Sequence, residues 1–215
     1  MNYRKLIVEN GLRMLESGLT VATWGNISCR DSKTGLVYMT PSAMDYKTIT
    51  EEDVVVCSLD GTIVEGIRKP TIEKDLHLSI YRARGEVNAV VHTHPIYSMI
   101  YSCQGKDIPL IIDEAAQALG DVCKSTNYAL PGSPELAKEC VKALGNEANS
   151  CLLHSHGAVC IGDNMDGAFK VATVLEATAQ IYYMIESTSG KAVVISNENV
   201  MAMKDFVKNY YGQGK

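Results

Sequence analysis

His92 and His94 stand two positions apart in Val90-Val91-His92-Thr93-His94-Pro95, and His154 and His156 repeat the spacing in Leu152-Leu153-His154-Ser155-His156-Gly157. Successive side chains on a strand face opposite ways, so residues two apart share a face, and two imidazoles placed like this can hold one cation. These two stretches contain four of the chain's five histidines, which points to parts of one metal site. A catalytic zinc usually keeps three protein ligands and one open position, with imidazole its commonest nitrogen donor. Three histidines from two strand ends meet that need, and alternation alone does not choose between His154 and His156. A single His-x-His is more often a hydrogen-bonded polar pair. The recurrence, each time between an aliphatic run and a Pro or Gly, carries the metal reading.

Other groups are weaker by themselves. Glu73 follows Lys69-Pro70-Thr71-Ile72 in the first turn of an expected helix, where the macrodipole favours a carboxylate whether or not it does chemistry. His77, four residues on, could pair with Glu73 on one helix face and reads as structural. Thr23-Trp24-Gly25-Asn26-Ile27-Ser28 and Thr40-Pro41-Ser42-Ala43 fall at turns flanking strands, where backbone amides and small hydroxyls can hold a phosphate without net positive charge. Asp113-Glu114 follow the apolar Ile108–Ile112 run, and are either a solvated strand end or an acid/base pair.

The elements that must position these groups alternate irregularly. Ile7, Val8, Leu12 and Leu15 recur near helical spacing before Gly18, so residues 4–17 are expected to form a core-facing helix. Strand-like pieces at 26–29, 36–40, 54–59 and 62–64, the last two joined by Asp60-Gly61, predict antiparallel sheet. A helix is expected to open at Thr71-Ile72-Glu73, with Ile72, Leu76 and Ile80 on one face, and to close at Gly85 before strand 89–93. Pro95 starts a helix toward Cys103, and 108–112 reads as strand. Ser133-Pro134 caps a helix to about Leu144. Strands 151–154 and 158–161 precede a long helix over about 166–188 and a last one from Ser196 to Tyr210-Tyr211. We therefore expect one α/β domain spanning 1–215, with a mostly antiparallel sheet covered by helices.

Composition limits the partners. The chain has 215 residues, 46% of them hydrophobic, and a net charge of −5. That balance argues against nucleic acid or an anionic membrane as the main partner and favours a small molecule. No apolar run approaches the roughly 20 residues a membrane span needs, and a cytoplasmic location is expected. Seven cysteines without a Cys-x-x-Cys suggest small buried thiols rather than a disulfide framework.

Taken together and in this order, Gly25-Asn26-Ile27-Ser28, Thr40-Pro41-Ser42, Lys69-Pro70-Thr71-Ile72-Glu73, Val91-His92-Thr93-His94 and Leu153-His154-Ser155-His156-Gly157 resemble the class II aldolase/adducin family, most of all its L-fuculose-1-phosphate aldolase branch. The resemblance implies a three-layer α/β/α sandwich and a homotetramer with active sites at subunit interfaces. It also implies one zinc per subunit, held by His92, His94, His156 and Glu73, with Glu73 doubling as acid/base. Phosphate would lie against Gly25, Asn26, Ser42, Ala43, Thr71 and Ile72. Ala43 replaces a glycine of that pattern and Ile72 a serine. Asp113 stands where the fucose enzymes carry a catalytic tyrosine supplied by a neighbouring subunit, so Asp113 or Glu114 is a candidate proton donor. Tyr210 and Tyr211 both match a tail tyrosine. The implied reaction is cleavage of a ketose 1-phosphate to dihydroxyacetone phosphate and a short aldehyde by enediolate stabilisation. The family alternatives are pentulose-phosphate epimerisation, dehydration, decarboxylation of a sugar-acid phosphate, or a non-catalytic association module.

Overall fold

Strand alternation sorts the apolar residues of this chain onto two faces of one sheet. In the computed structural model, which describes residues 1–210, eight strands run β1 (Asn26–Arg30), β2 (Val37–Met39), β3 (Val55–Cys57), β4 (Ile63–Glu65), β5 (Ala89–Thr93), β6 (Lys124–Ser125), β7 (Ser150–Leu153) and β8 (Gly157–Gly162). Their spatial order is β4-β3-β2-β1-β5-β8-β7-β6. Every pairing is antiparallel except β6 with β7.

Ile27, Val91, Leu152 and Cys160 point into one core with Ile7, Met14 and Phe169. That face is covered by α1 (Tyr3–Glu16), α3 (Ile96–Gln104), α4 (Asp113–Ala118), α6 (Met165–Ser187) and α7 (Asn197–Asn209). Their strand neighbours Met39, Val90, Leu153 and Val159 point the other way, against Leu76 and Ile80 of α2 (Lys74–Ala83) and Leu136 and Cys140 of α5 (Pro134–Leu144). The result is the expected α/β/α sandwich, because a sheet with two apolar faces must bury both.

Local chemistry sets the element ends. Ser133, Asn164 and Ser196 each accept a backbone N–H from three residues on, at Leu136, Gly167 and Asn199. Asp60 accepts from Ser58 Oγ and Thr62 N in the β3–β4 turn, where Gly61 takes a φ of 95°.

Two expectations need correction. Residues 108–112 are not a strand. Ile108 makes one bridge to Cys123, Pro109 has no N–H to offer a ladder, and Leu110 O accepts from Ile195 N. Asp113 and Glu114 instead form the acidic first turn of α4. Helix α2 begins at Lys74, with Glu73 in the cap position and Arg84, not Gly85, at its end. Ile72 therefore lies outside the helix, exposed rather than packed with Leu76 and Ile80. Of the seven free cysteines six are buried as expected, and Cys103 is exposed.

One contact between layers bears directly on the histidines. Glu176 of α6 accepts from Tyr97 N at 2.8 Å, Ser98 N at 2.8 Å and Ser98 Oγ at 2.7 Å. A carboxylate at a helix N-terminus satisfies otherwise unpaired amides and the helix dipole together. It thus pins the chain just after His94-Pro95. Glu176→Ala leaves the buried Ser98 hydroxyl and two amides without that acceptor, and we expect a loss of about 3 kcal/mol in a urea titration.

Candidate metal centre

β5 brings His92 to the α2 side of the sheet, and the register sets Asn26 of β1 directly opposite it. His94 follows two residues on, beyond the strand end. His156 comes from the turn between β7 and β8, and Glu73 from the cap of α2. One ring nitrogen from each of His92, His94 and His156 lies within 4.8 Å of the others. His92 Nε2 is 3.0 Å from His94 Nε2 and 3.1 Å from Glu73 Oε2, and His156 Nε2 is 3.3 Å from Glu73 Oε1.

Donors held about 2.0–2.1 Å from a tetrahedral ion stand about 3.3 Å apart, so these spacings fit one small cation. Two further observations agree. His92 Nδ1–H donates to Ala158 O at 3.0 Å, which leaves Nε2 as the ring nitrogen that faces the cluster and would take a cation on losing its proton. Glu73 Oε1, in a residue only 3% exposed, has no hydrogen-bond partner among the described residues.

Electrostatics separates the four groups. Burial pushes the Glu73 carboxyl up, but the facing His92 and His156 imidazoles and the Asn26 amide outweigh it, and Glu73 stays ionised well below the usual carboxylate range. Burial pulls His92 down, and its contact with Glu73 outweighs that, so His92 is raised. His94 is lowered to about 3 and His156 to about 4, by burial first and then by the neighbouring imidazoles. The cluster is thus one carboxylate, one basic imidazole and two neutral ones.

Backbone geometry decides which second histidine joins. Ser155 sits at a φ of 55°, in the left-handed region, so the two-residue alternation fails between His154 and His156. His154 turns away toward Tyr128 and Gly105. Gly157 makes the turn possible at all: a Cβ there would lie 2.4 Å from Thr93 O, 3.1 Å from His92 Cε1 and 3.2 Å from His94 Cδ2. Backbone cannot yield that far. We expect Gly157→Ala to cost several kcal/mol, on the order of the largest point-mutation effects, and to lower metal affinity in whatever folded protein remains, read by urea titration and zinc calorimetry.

The six residues expected at a phosphate all reach the same place. Gly25, Asn26, Ser42, Ala43, Thr71 and Ile72 line one cavity of about 490 Å³ together with Glu73, His94 and His156, with Trp24 and Pro131 at its wall. The amides of Ser42 and Thr71 are already used, donating to Lys69 O and Thr40 O. Their hydroxyls and the Asn26 amide remain as side-chain donors. Ala43, in the place of the pattern's glycine, holds a φ of 54°.

Asp113 is elsewhere. It lines a separate cleft with Val193, Ile195, Asn199 and Phe206, which shares no residue with the metal cavity. Tyr210, largely exposed at the end of α7, stacks on Phe206 of that cleft with ring centroids 6.3 Å apart. Glu114 shares the first turn of α4 with Asp113 and is exposed. Tyr211 lies outside the described residues.

Sequence reasoning missed a buried chain of hydrogen bonds behind Glu73. Asn26 Nδ2 donates to Glu73 Oε2 at 2.8 Å, Asn26 Oδ1 lies 2.6 Å from His77 Nε2, His77 Nδ1 lies 2.6 Å from Ser28 Oγ, and Ser28 Oγ lies 2.8 Å from Tyr81 Oη. His77 does not meet Glu73 directly, as its i+4 spacing suggests, because Asn26 stands between them. A signal existed: Glu73, His77 and Tyr81 recur every four residues on a helix, and Asn26 and Ser28 every two on a strand.

Comparisons with known proteins agree with this geometry. Residues 5–183 match the family described as Class II Aldolase and Adducin N-terminal domain. A 5-deoxy-D-ribulose 1-phosphate aldolase of Bacillus thuringiensis serovar kurstaki is 36% identical over 212 residues, covering 99% of this chain and 97% of that protein. The L-fuculose phosphate aldolase of Escherichia coli strain K12 is 30% identical over 95% of this chain and 93% of its own. A solved L-fuculose 1-phosphate aldolase superposes with a TM-score of 0.92 at 31% identity, covering 96% of each chain. A histidine cluster fit for one cation, at the end of an α/β/α sandwich, thus coincides with full-length similarity, and the chain belongs to the class II aldolase and adducin family, as a lyase.

Proposed function

We propose that this chain is a zinc-dependent aldolase. It cleaves a ketose 1-phosphate, L-fuculose 1-phosphate or a related deoxyketose phosphate, to dihydroxyacetone phosphate and a short aldehyde. The observation that carries the reading is the shared cavity, where Glu73, His94 and His156 face the same space as the small hydroxyls of Ser42 and Thr71. A phosphate held at one end of that cavity sets the first carbons of a ketose 1-phosphate beside the histidines.

His92, His94, His156 and Glu73 would hold one zinc per subunit, which supplies Lewis acidity to a carbonyl and stabilises negative charge developing on it. The chain's own residues do the rest. Gly25, Asn26, Ser42, Ala43, Thr71 and Ile72 bind the phosphate through hydroxyls, the Asn26 amide and free backbone N–H groups, without a cationic side chain. Glu73, with Oε1 unpaired and facing His156, takes and returns a proton at the substrate hydroxyl.

Asp113, Glu114 or a tail tyrosine, Tyr210 or Tyr211, handles the aldehyde oxygen. Asp113 lines a cleft away from the chain's own histidines, and Tyr210 stacks on Phe206 of that cleft, which supports their serving a neighbouring subunit in a homotetramer with interfacial sites. Among the described residues no helix is long and apolar enough to cross a membrane.

The test is an assay of purified, zinc-loaded protein on a panel of ketose 1-phosphates and pentulose 5-phosphates, following dihydroxyacetone phosphate with and without chelator. Chelator-sensitive release is expected. Isomerised or decarboxylated product without release overturns the aldolase assignment in favour of the epimerase, dehydratase or decarboxylase chemistries.

A further inference from the structure

We propose that His77 is a positioning residue for the metal centre: its Nε2–H holds the Asn26 amide in the one orientation that clamps Glu73 Oε2 and leaves Oε1 open. The inference rests on the proposed metal site and deepens it.

The hydrogen-bond directions follow from the donors and acceptors available. An ionised carboxylate only accepts, so the nitrogen of Asn26, not its oxygen, faces Glu73 at 2.8 Å. Asn26 Oδ1 is then an acceptor and needs a donor, which among the described residues His77 Nε2–H supplies, at 2.6 Å. A neutral imidazole carries one N–H, so His77 Nδ1 accepts from Ser28 O–H at 2.6 Å, and Ser28 Oγ in turn accepts from Tyr81 O–H at 2.8 Å. His77, Ser28 and Tyr81 are at most 1% exposed, so water does not compete for any of these positions. Burial keeps the imidazole neutral, with its pKa lowered to about 3.

The chain has a consequence for both ends of the substrate site. A primary amide has two N–H groups; one of Asn26's is committed to Glu73 and the other remains for the cavity that Asn26 lines. Asn26 therefore ties the phosphate end to the acid/base carboxylate, and His77 prevents the amide from turning over. A flipped Asn26 would set Oδ1 against Glu73 Oε2, two acceptors in contact in a buried site, which is the arrangement His77 excludes.

The experiment compares His77→Gln with His77→Asn. Glutamine can reach Asn26 Oδ1 with an N–H as Nε2 does, and asparagine is too short. Zinc affinity is read by calorimetry, folding by thermal melting under chelator, and kcat and KM on the best ketose 1-phosphate. The glutamine protein should keep zinc affinity and kcat within about 3-fold, while the asparagine protein loses roughly 10–100-fold in zinc affinity or kcat, the usual effect of removing the partner behind a metal ligand. Asparagine at wild-type affinity and kcat overturns the proposal, as does glutamine falling equally far while both melt together. If His77→Asn does not fold, His77→Leu carries the test: it fills the space but offers Asn26 Oδ1 no donor, and unchanged zinc affinity and kcat there overturn the assignment. A wild-type protein that binds zinc but releases no dihydroxyacetone phosphate defeats the aldolase reading alone, since the zinc arm still reports on His77.

Discussion

His92→Ala and His94→Ala are expected to lose metal binding and turnover together, and to differ in everything else. Each removes one imidazole from a set of donors spaced 3.0 to 3.3 Å apart. Loss of a partner behind a ligand already costs roughly 10–100-fold in affinity, so loss of a ligand costs more than about 100-fold in zinc affinity, with activity falling in parallel. The stability of the metal-free proteins separates the two. His92 is fully buried and its charge answers Glu73, which is also buried. Removing it takes away the larger of the two imidazole contacts on that buried carboxylate and leaves it facing the neutral His156 ring and the Asn26 amide, and a buried charge stripped of its partner costs about 3–5 kcal/mol. His94 is partly exposed and neutral, and its truncation removes no countercharge. Zinc calorimetry and urea titrations under chelator would therefore show two metal-dead proteins, of which only His92→Ala is unstable. Either variant with wild-type zinc affinity and activity contradicts the ligand assignment.

The centre was legible in the sequence wherever its geometry follows a short period. His92 and His94 obey the two-residue strand repeat, and β5 occupies the span that the apolar run marks out. His154 and His156 carry the same spacing but not the same geometry, because Ser155 turns the backbone left-handed between them. No propensity for that conformation is visible in a serine, and it took the family resemblance to choose His156. The Ile108–Ile112 run misled for a different reason: apolar character marks burial, not pairing, and Pro109 with the Ile195 contact turns this segment into an extended cover. That error hid α4, although Asp113-Glu114-Ala115-Ala116 is an acidic helix start of the ordinary kind. Glu176 could not be found from sequence at all, since nothing in a lone glutamate on a long helix says which helix end it faces. The relay behind Glu73 lies between these cases, with a four-residue period on α2 and a two-residue period on β1 that acquire meaning only when the sheet brings them face to face.

The second large effect is on acid stability, and its sign follows from the buried histidines. His77, His94 and His156 have folded-state pKa values of about 3, 3 and 4, below the ordinary 6.5. As pH falls from 6.5 toward 4 the unfolded chain takes up protons at all three and the folded chain does not, so the unfolded state gains stability with each. Each group contributes up to about 1.4 kcal/mol per pH unit, and the three together about 4. His92 has the opposite sense. Its folded pKa is raised, so its contribution is fully present below 6.5 and is lost as pH rises through the folded value. Glu73, lowered from 4.5, contributes above that value and loses its contribution as pH falls through the folded one; this is the same ion pair seen from its other partner and counts once. The metal-free protein should then be most stable near pH 6.5, falling steeply on the acid side and gently on the alkaline side. Urea midpoints from pH 4.5 to 8 under chelator measure this directly, and a flat acid limb would mean that the histidines are not held neutral. His77→Gln should reduce the acid slope by about a third, because it removes one of the three silent histidines and leaves the cluster. Zinc has to displace the proton that His92 holds, so its stabilisation should be larger at pH 8 than at pH 6, with about one proton released per ion at the lower pH rather than three.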